Sequence, residues 1–452
     1  MSQSFYITTL GCQKNVADSR EMERSMLLEG FVVAEDAPSA DFHLINTCSF
    51  IDSAREQTIE TVFEAIDVKE MAKSKTDGQK LVVIGCFTER YHDAVKQEWP
   101  EVDFSFGTGL YHRAGALIRE QFRLPRPHDS EISSPFELIK RRDRHPYAPV
   151  KIADGCDRKC GFCAIPQFRG QFRTRTIDQV VAECKELATT GIREICLVSQ
   201  DTNSFGDKPE AVVDLIEELN SIDQLRWIRL LYLYPDKKTE RILRLLADRG
   251  LNRFESGQSK LVPYLESPVQ HVSATVIKSM NRYGDGIYFK ELFAMARQLF
   301  PKLEIRSSFL LGYPGETSAD IDMLHRFIED TRIEKLALFS YSPEEGTTGF
   351  DLDRPDTEIT KDYINEVRQT HLKVLSEIHL ERVGQVYECM VDEVHGKELF
   401  VRRPQDAPEV DENVVISFEY KRGIKLPKPG DIMKVEITGF FEYDMEGRRV
   451  ES

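Results

Sequence analysis

The sequence predicts an α/β protein in three parts: an N-terminal parallel α/β domain, a partial (β/α)6 barrel, and a small C-terminal antiparallel β-barrel. Three observations carry this expectation. In the first hundred residues three apolar runs each end in a cysteine, Cys12, Cys48 and Cys86, at spacings of 36 and 38 residues. That spacing suits a strand, a crossover helix and the return to a parallel strand. Six strand-like runs then alternate with helical stretches between residues 147 and 377, which is the order of a parallel sheet curling towards a barrel, partial because six units are fewer than eight. Residues 378–452 hold short β-type runs separated by turns, the pattern of a small barrel.

Length and composition agree. At 452 residues the chain exceeds what one hydrophobic core supports, so two to three domains are expected. The boundaries fall at 1–125, a linker at 126–146, 147–377 and 378–452. Hydrophobic residues make up 41% and charged residues 30%, and no apolar run approaches the roughly 18 residues of a membrane span. The start, Met1-Ser2-Gln3-Ser4-Phe5, lacks the basic then apolar pattern of a leader. A cytoplasmic location is expected, and there nine cysteines, an odd number, suit metal ligation better than a disulfide framework. The net charge of −16 counts against a phosphate-backbone partner and for a basic protein.

The N-terminal runs are Phe5 to Cys12, Phe42 to Cys48 and Leu81 to Cys86, with helices expected at Ser19 to Leu28 and Ala54 to Ala72. Ligands gather at the carboxyl ends of parallel strands, so the three thiols are expected on one sheet edge as a three-thiolate site. Any one of them alone reads better as a buried core thiol than as a ligand; three at the same end of three repeated units favour the cluster. Pro125, Pro127, Pro135 and Pro146, interleaved with the charge run Lys140 to Arg144, read as a solvated linker.

In the barrel the strands are expected at Ala148 to Ala153, Glu194 to Ser199, Trp227 to Tyr234, Leu261 to Glu266, Glu304 to Leu311 and Leu336 to Tyr341, with helices such as Ile177 to Thr189 and Ala211 to Asn220 between them. Directly after the first strand comes Gly155-Cys156-Asp157-Arg158-Lys159-Cys160-Gly161-Phe162-Cys163. A structural zinc site closes with four protein ligands, whereas an iron–sulfur cube held by three thiolates keeps one iron open to a small molecule. Other strand ends share that face: Ser199 to Thr202, Pro268 to His271, Gly312 to Thr317 and Ser342 to Thr347. Gly312 to Thr317 also reads as a turn before a helix capped by Thr317 or Ser318. His271, Cys184, Cys196 and Cys389 read as buried structural residues.

The C-terminal runs are Val386 to Val391, Leu399 to Arg402, Val414 to Tyr420 and Ile432 to Phe441. From Leu380 to Ser452 there are 11 Lys plus Arg against 16 Asp plus Glu, a net of −5. An acidic domain favours a basic protein partner over phosphates, although a surplus of this size is also an ordinary solvated surface.

The cysteine loop with Phe162 in its aromatic place resembles that of the radical S-adenosylmethionine enzymes, and its combination with the N-terminal three-cysteine domain resembles the methylthiotransferases. The stretch Ala164 to Arg175 looks like the RimO branch, the ribosomal protein methylthiotransferases; the sister MiaB branch acts on a tRNA adenosine. Leu10-Gly11-Cys12, Asn46-Thr47-Cys48, Ile84-Gly85-Cys86 and Ser307 to Thr317 are similar to family motifs. The chain's end resembles a TRAM domain, and within it Asp406 to Asp411 is similar to RimO-type members. Ser267, before Pro268, and Asn203-Ser204-Phe205 depart from the family pattern.

The resemblance implies a radical SAM barrel, two 4Fe-4S clusters and S-adenosyl-L-methionine. Cys156, Cys160 and Cys163 would hold the radical SAM cluster, and Cys12, Cys48 and Cys86 an auxiliary cluster that supplies sulfur. Gln200, Gln270 and Gly312 would line the S-adenosylmethionine pocket, and no catalytic residue is assigned beyond the cluster ligands. Arg169, Arg173 and Arg175 are expected to meet substrate acid groups or the cofactor carboxylate, or to form a basic surface. The implied reaction places a methylthio group on the β-carbon of an aspartate in the twelfth protein of the small ribosomal subunit, the alternative being a tRNA adenosine. A flavodoxin- or ferredoxin-like electron donor and the iron–sulfur assembly machinery are the further implied partners, with no membrane.

Overall fold

A computed structural model describes residues 3–71, 78–125, 145–418 and 427–450. All of the expected linker but His145 and Pro146 lies outside the described residues, as do Ala72 and Tyr420 at the ends of two expected elements. The chain divides into two compact units: one gathers residues 1–142, 154–158 and 164–172, the other 143–153, 159–163 and 173–452.

The first unit is built on a parallel five-stranded sheet of order β2-β1-β3-β4-β5, with β1 at Ser4–Thr9, β2 at Val32–Val33, β3 at Phe42–Thr47, β4 at Lys80–Gly85 and β5 at Phe104–Phe106. Successive residues of a strand face opposite sides, and both faces are covered. Leu44, Val82 and Ile84 pack with Met22, Met26 and Ile118 on one side, while Ile45, Leu81 and Val83 pack with Val62 and Trp99 on the other. This two-sided burial explains why β3 and β4 read as unbroken apolar runs. The first helix spans Gln13–Leu28 and so starts before the expected Ser19. Its opening turns carry Gln13, Asn15 and Asp18, polar yet buried, which hides them from an apolar periodicity. Both β2 and β5 are too short to show a period.

In the second unit all six expected barrel strands form: β6 at Tyr147–Lys151, β9 at Glu194–Val198, β10 at Trp227–Leu230, β11 at Tyr264–Glu266, β12 at Glu304–Leu311 and β13 at Lys335–Ser340. The short strands β7 (Ala153–Asp154) and β8 (Arg173–Thr174) flank the cysteine loop in sequence. Two parallel sheets, β10-β9-β6 and β11-β12-β13, are joined by the parallel bridge Ile228 to Leu261, giving a partial barrel. Helices at Ile177–Thr189, Pro209–Asn220, Lys237–Asp248, Gly286–Leu299, Ser318–Thr331 and Thr357–Arg382 bury their apolar stripes against it.

The C-terminal strands close a barrel in the order β14-β15-β16-β18-β17, with β14 at Val386–His395, β15 at Glu398–Arg402, β16 at Val414–Ser417, β17 at Ile432–Phe441 and β18 at Asp444–Arg449. Closure leaves no free sheet edge. The fifth strand, β18, has a charged composition with Met445 as its inward residue, which is why only four runs were legible. Cys389 sits in this barrel's core.

Residues 402–412 join the C-terminal barrel to the amino ends of the strands of the partial barrel. Tyr147, first in β6, donates to Glu409 at 2.8 Å. Glu194, first in β9, accepts from Arg402 and Arg229, both at 2.7 Å. Glu304, first in β12, accepts from Arg403 at 2.9 and 3.1 Å and pairs with Arg382 at 2.7 Å. Lys335, first in β13, pairs with Glu304, Asp406 and Glu412. Burial works against these charges, but the paired cations hold Glu304 well below the usual carboxylate range, and Arg403 and Lys335 hold Asp406 at about 2. A buried network of this kind adds less to net stability than its contacts suggest, because desolvation opposes it, yet removing one member is costly.

Among the described residues no helix is long and apolar enough to cross a membrane.

Candidate functional site

Cys12 follows β1 and caps helix Gln13–Leu28, Cys48 follows β3, and Cys86 opens the short helix Cys86–Arg90 directly after β4. The strands are neighbours in parallel register, Thr9 beside Asn46 and Thr47 beside Gly85, so the three thiols share one carboxyl edge. Gly11 has φ of 88°, and a Cβ there would lie 2.7 Å from the Cβ and 2.8 Å from the Sγ of Cys48. The Cys48 side chain therefore rests on the backbone next to Cys12.

Two polar side chains tie these strand ends together. The Asn15 amide donates to the carbonyls of Leu10 at 2.7 Å and Thr47 at 3.1 Å, and the Thr47 hydroxyl donates to Ile84 O at 2.6 Å while accepting from the Phe87 N–H at 3.2 Å. Arg169 joins this hub. It donates to Asp18 at 2.6 Å and to the Asn15 side-chain oxygen at 2.8 Å, is 4% exposed, and lies 5.9 Å from the centroid of Tyr111. The expectation that Arg169 meets substrate or forms a basic surface is thus corrected: its charge is internal and matched by Asp18. Burial pushes the thiol of Cys86 up to about 12 and raises that of Cys48, with Arg169 pulling both the other way. Such thiols keep their protons until a cation displaces them.

The cysteine loop contributes to both units. In the first, the Cys156 N–H donates to Gly170 O at 3.2 Å and the Asp157 carboxylate accepts from the Phe172 N–H at 3.0 Å. In the second, the Cys163 N–H donates to Cys160 O at 3.1 Å, the Gly161 N–H donates to Met280 O at 2.8 Å, and Gly161 O accepts from Gly349 at 2.8 Å. Phe162 packs against Val276, Met280, Leu310, Tyr313 and Tyr341. Arg282 donates to the Cys160 sulfur at 3.6 Å and stacks on Tyr234 at 4.4 Å. No local motif marks Arg282 or Asn15 in the sequence, and the motif that holds Thr47 does not show its role; each acts through a contact between distant segments.

All nine cysteines are free thiols. Among the described residues no three His, Cys, Asp or Glu side chains converge as ligands of one ion would. In an iron–sulfur cube each thiolate bonds its own iron, whereas a zinc tetrahedron draws its ligands onto one ion. The donor set of Cys12, Cys48 and Cys86 on one strand edge, with the buried Arg169 guanidinium acting on Cys48 and Cys86, fits an anionic cluster.

Of the other residues singled out from the sequence, Gln200 follows β9 with its side-chain oxygen buried and unpartnered. Gln270 has φ of 74° and bridges to Phe309 of β12. Gly312 has φ of 80°, and a Cβ there would lie 2.5 Å from the Thr360 hydroxyl, so packing of helix Thr357–Arg382 already requires glycine. Its N–H donates to Glu316 at 2.9 Å, and the following helix is capped by Thr317. His271 is buried beside Glu316 at 3.3 Å and accepts from the Ser273 N–H. Cys184 and Cys196 are fully buried. Arg175 binds Glu183 and the carbonyl of Lys151. The two departures from the family pattern are placed as well: the Ser267 hydroxyl donates to Leu233 O at 2.8 Å, and Asn203 to Tyr234 O at 2.7 Å.

Residues 4–107 match the uncharacterized protein family UPF0004, 150–328 the radical SAM superfamily, and 383–450 the TRAM domain. The chain is 44% identical over 459 aligned residues to the ribosomal protein uS12 methylthiotransferase RimO of Leptospira biflexa, covering 99% of this chain and 97% of the relative. Proteins of the same description from Anaeromyxobacter sp. strain K and Thermotoga maritima are each 36% identical, covering 100% and 94%, and 98% and 98%, of the two chains respectively. Among solved structures, the radical S-adenosylmethionine methyltransferase TsrM of Kitasatospora setae superposes with a TM-score of 0.55 at 14% identity, over 87% of this chain and 79% of the other. The cobalamin-dependent radical enzyme OxsB gives 0.53 at 11% identity over 82% and 56%. These two show the shared fold.

Proposed function

Because this chain belongs to the family of ribosomal protein uS12 methylthiotransferases, RimO, we propose that its substrate is the twelfth protein of the small ribosomal subunit, modified with a methylthio group at the β-carbon of an aspartate. The chain is a radical S-adenosylmethionine methylthiotransferase. One observation carries the choice of substrate: 44% identity sustained over 99% of the chain to a protein described by that activity. The tRNA-directed alternative is not favoured.

In this reading Cys156, Cys160 and Cys163 hold one 4Fe-4S cluster and Cys12, Cys48 and Cys86 a second. When bound, the open iron of the first cluster supplies reductive cleavage of S-adenosylmethionine, and with it a radical able to take hydrogen from an unactivated carbon. The chain's own groups bind, orient and shield. Arg282 offsets negative charge at the Cys160 sulfur. The unpartnered Gln200 oxygen is offered to the polar groups of S-adenosylmethionine, while Gln270, its backbone tied to Ser308 and Leu310, and the Gly312 turn, fixed by Glu316, stand at further strand ends. Phe162, Tyr313 and Tyr341 pack an apolar wall on the loop, which excludes water from a reactive species. The second three-thiolate site stands as the sulfur source. A flavodoxin- or ferredoxin-like donor, the iron–sulfur assembly machinery and a cytoplasmic location complete the proposal.

The test is anaerobic incubation of the reconstituted protein with reductant, S-adenosylmethionine and a peptide of the ribosomal protein, read by mass. The expected product is a peptide heavier by one methylthio group, with 5′-deoxyadenosine released and both lost in Cys160→Ala. Modification of a tRNA substrate with the peptide untouched would overturn the substrate assignment, and 5′-deoxyadenosine release unaltered in Cys160→Ala would overturn the role of the loop.

A further inference from the structure

We propose that Arg169 is the positioning residue of the Cys12, Cys48 and Cys86 site: it pins Asn15, and through it the strand ends that carry Cys12 and Cys48, while placing a positive charge on the side of Cys48 and Cys86. The proposal rests on the reading that these thiols hold an iron–sulfur cluster.

The sequence puts Arg169 at the end of the short helix Ile165–Arg169, six residues after Cys163, where it looked like part of the other cysteine motif. The structure groups residues 164–172 with the N-terminal unit. Phe168 and Ala164 of that segment pack with Cys86, and the Phe168 carbonyl accepts from the Thr108 hydroxyl at 2.5 Å, so the backbone that presents Arg169 is fixed on both sides. The guanidinium is planar and offers its donors in a fixed fork. One nitrogen goes to Asp18 and another to the Asn15 oxygen. Asn15 then has no freedom to rotate: its oxygen is held by Arg169, and its nitrogen by Leu10 O and Thr47 O. Leu10 lies two residues before Cys12, and Thr47 immediately before Cys48. Thr47 passes the constraint to the third strand end through Ile84 O and the Phe87 N–H, which bracket Cys86. A single side chain thus fixes, through one amide, the peptides beside all three thiols. Residues that orient metal ligands in this way typically carry about 10- to 100-fold in metal affinity.

The charge has a separate consequence. Three thiolates around an iron–sulfur core are anionic, and reduction adds another negative charge. A buried cation beside them stabilises the reduced state and raises the potential. Asp18 and, at 3.7 Å, Asp154 act in the opposite direction, so loss of Arg169 alone leaves two carboxylates beside the site without its compensation.

The experiment uses the full chain carrying Cys156→Ala, Cys160→Ala and Cys163→Ala, so that iron loads only at the N-terminal thiols. In this background Arg169→Gln, Arg169→Lys and the double variant Asp18→Asn with Arg169→Gln are reconstituted anaerobically, and iron per chain and midpoint potential are measured. The expected result is that Arg169→Gln loses most of its iron, or keeps it with a reduction equilibrium at least about tenfold less favourable, a fall of about 59 mV for one electron. Arg169→Lys, which keeps the charge, is expected to lie closer to the parent in both readouts. The double variant also removes the Asp18 carboxylate that Arg169 faces, which keeps the test available if Arg169→Gln fails to fold, and it is expected still to lose iron because Asn15 is no longer pinned. Parent-like iron and potential in Arg169→Gln or in the double variant would overturn the proposal, as would a Lys variant no better than Gln. A parent that loads no iron at all would instead refute the cluster reading and take the proposal with it.

Discussion

Replacing Arg403 by methionine tests whether the buried charges at the amino ends of the barrel strands fix the C-terminal barrel. The Arg403 side chain is fully buried and makes four charge-assisted hydrogen bonds, at 2.9 and 3.1 Å to Glu304 and at 2.6 and 2.9 Å to Asp406. Methionine keeps most of the stem's packing and removes the charge. Glu304 then retains Arg382 and Lys335, and Asp406 retains Lys335 at 3.2 Å. Removing one partner of a buried pair costs about 3–5 kcal/mol. The remaining cations put the expected loss at the low end, about 3 kcal/mol, or roughly a hundredfold in the unfolding equilibrium. The chain has two tryptophans. In a Trp99→Phe background, Trp227, 5.7 Å from the Arg402 guanidinium, reports this region alone, so unfolding in urea followed by its fluorescence isolates the second unit from the first. Arg448→Met is the control, since the Arg448 to Glu436 pair is on the surface with the arginine side chain 69% exposed, and is expected to change stability by less than about 1 kcal/mol. A loss in Arg403→Met no larger than that of the control would refute the reasoning.

Three further outcomes are expected. Burial lifts the Glu412 carboxyl to about 7 against the pull of Lys335, above its ordinary 4.5, so folding takes up a proton between these values. This contribution to stability is complete below pH 4.5 and is lost as pH rises through 7; Glu412→Gln is expected to flatten the pH dependence of urea midpoints across that window. Gly11→Ala forces a side chain onto positive φ and onto Cys48, and titration of ferrous iron and sulfide should show about a tenfold or greater loss of affinity at the N-terminal thiols alone. Cys184→Ala and Cys389→Ala remove buried thiols that belong to hydrophobic packing, and are expected to cost about 1 kcal/mol each while leaving iron per chain unchanged.

The alternation of strand and helix was legible because parallel strands such as β3, β4 and β9 are buried on both faces and announce themselves as apolar runs. Glu304 to Leu311 was bounded to the residue, and Glu194 to Ser199 ran one residue past its strand. Cysteines at the ends of such runs were placed on one edge by topology alone. What stayed hidden shares one physical property: it is polar and buried. Asn15 and Asp18 look like the exposed face of a helix, and Arg169 like a surface charge beside a loop, because a sequence shows the charge of a residue and not its partner. The same holds for Glu194, Glu304 and Lys335, whose partners in 402–412 lie 71 or more residues away.

The acidic surplus of the C-terminal domain acquires a different meaning from where its charges lie. Asp392 is buried against Arg402 and Asp406 against Arg403, so these pairs cancel internally, and the buried Glu412 faces Lys335 as Arg382 faces Glu304; among the described residues Glu388, Glu398, Glu442, Asp444 and Glu446 stand exposed. The segment that anchors the barrel binds the amino ends of β6, β9, β12 and β13, whereas Gln200, Gln270 and Gly312 come at carboxyl ends. In the proposed reading, anchoring and chemistry fall at opposite ends of the same strands. An acidic surface held by the far end can attract a basic protein over distance through its field, with a strong dependence on salt, without the anchoring charges occupying the end at which the substrate reacts.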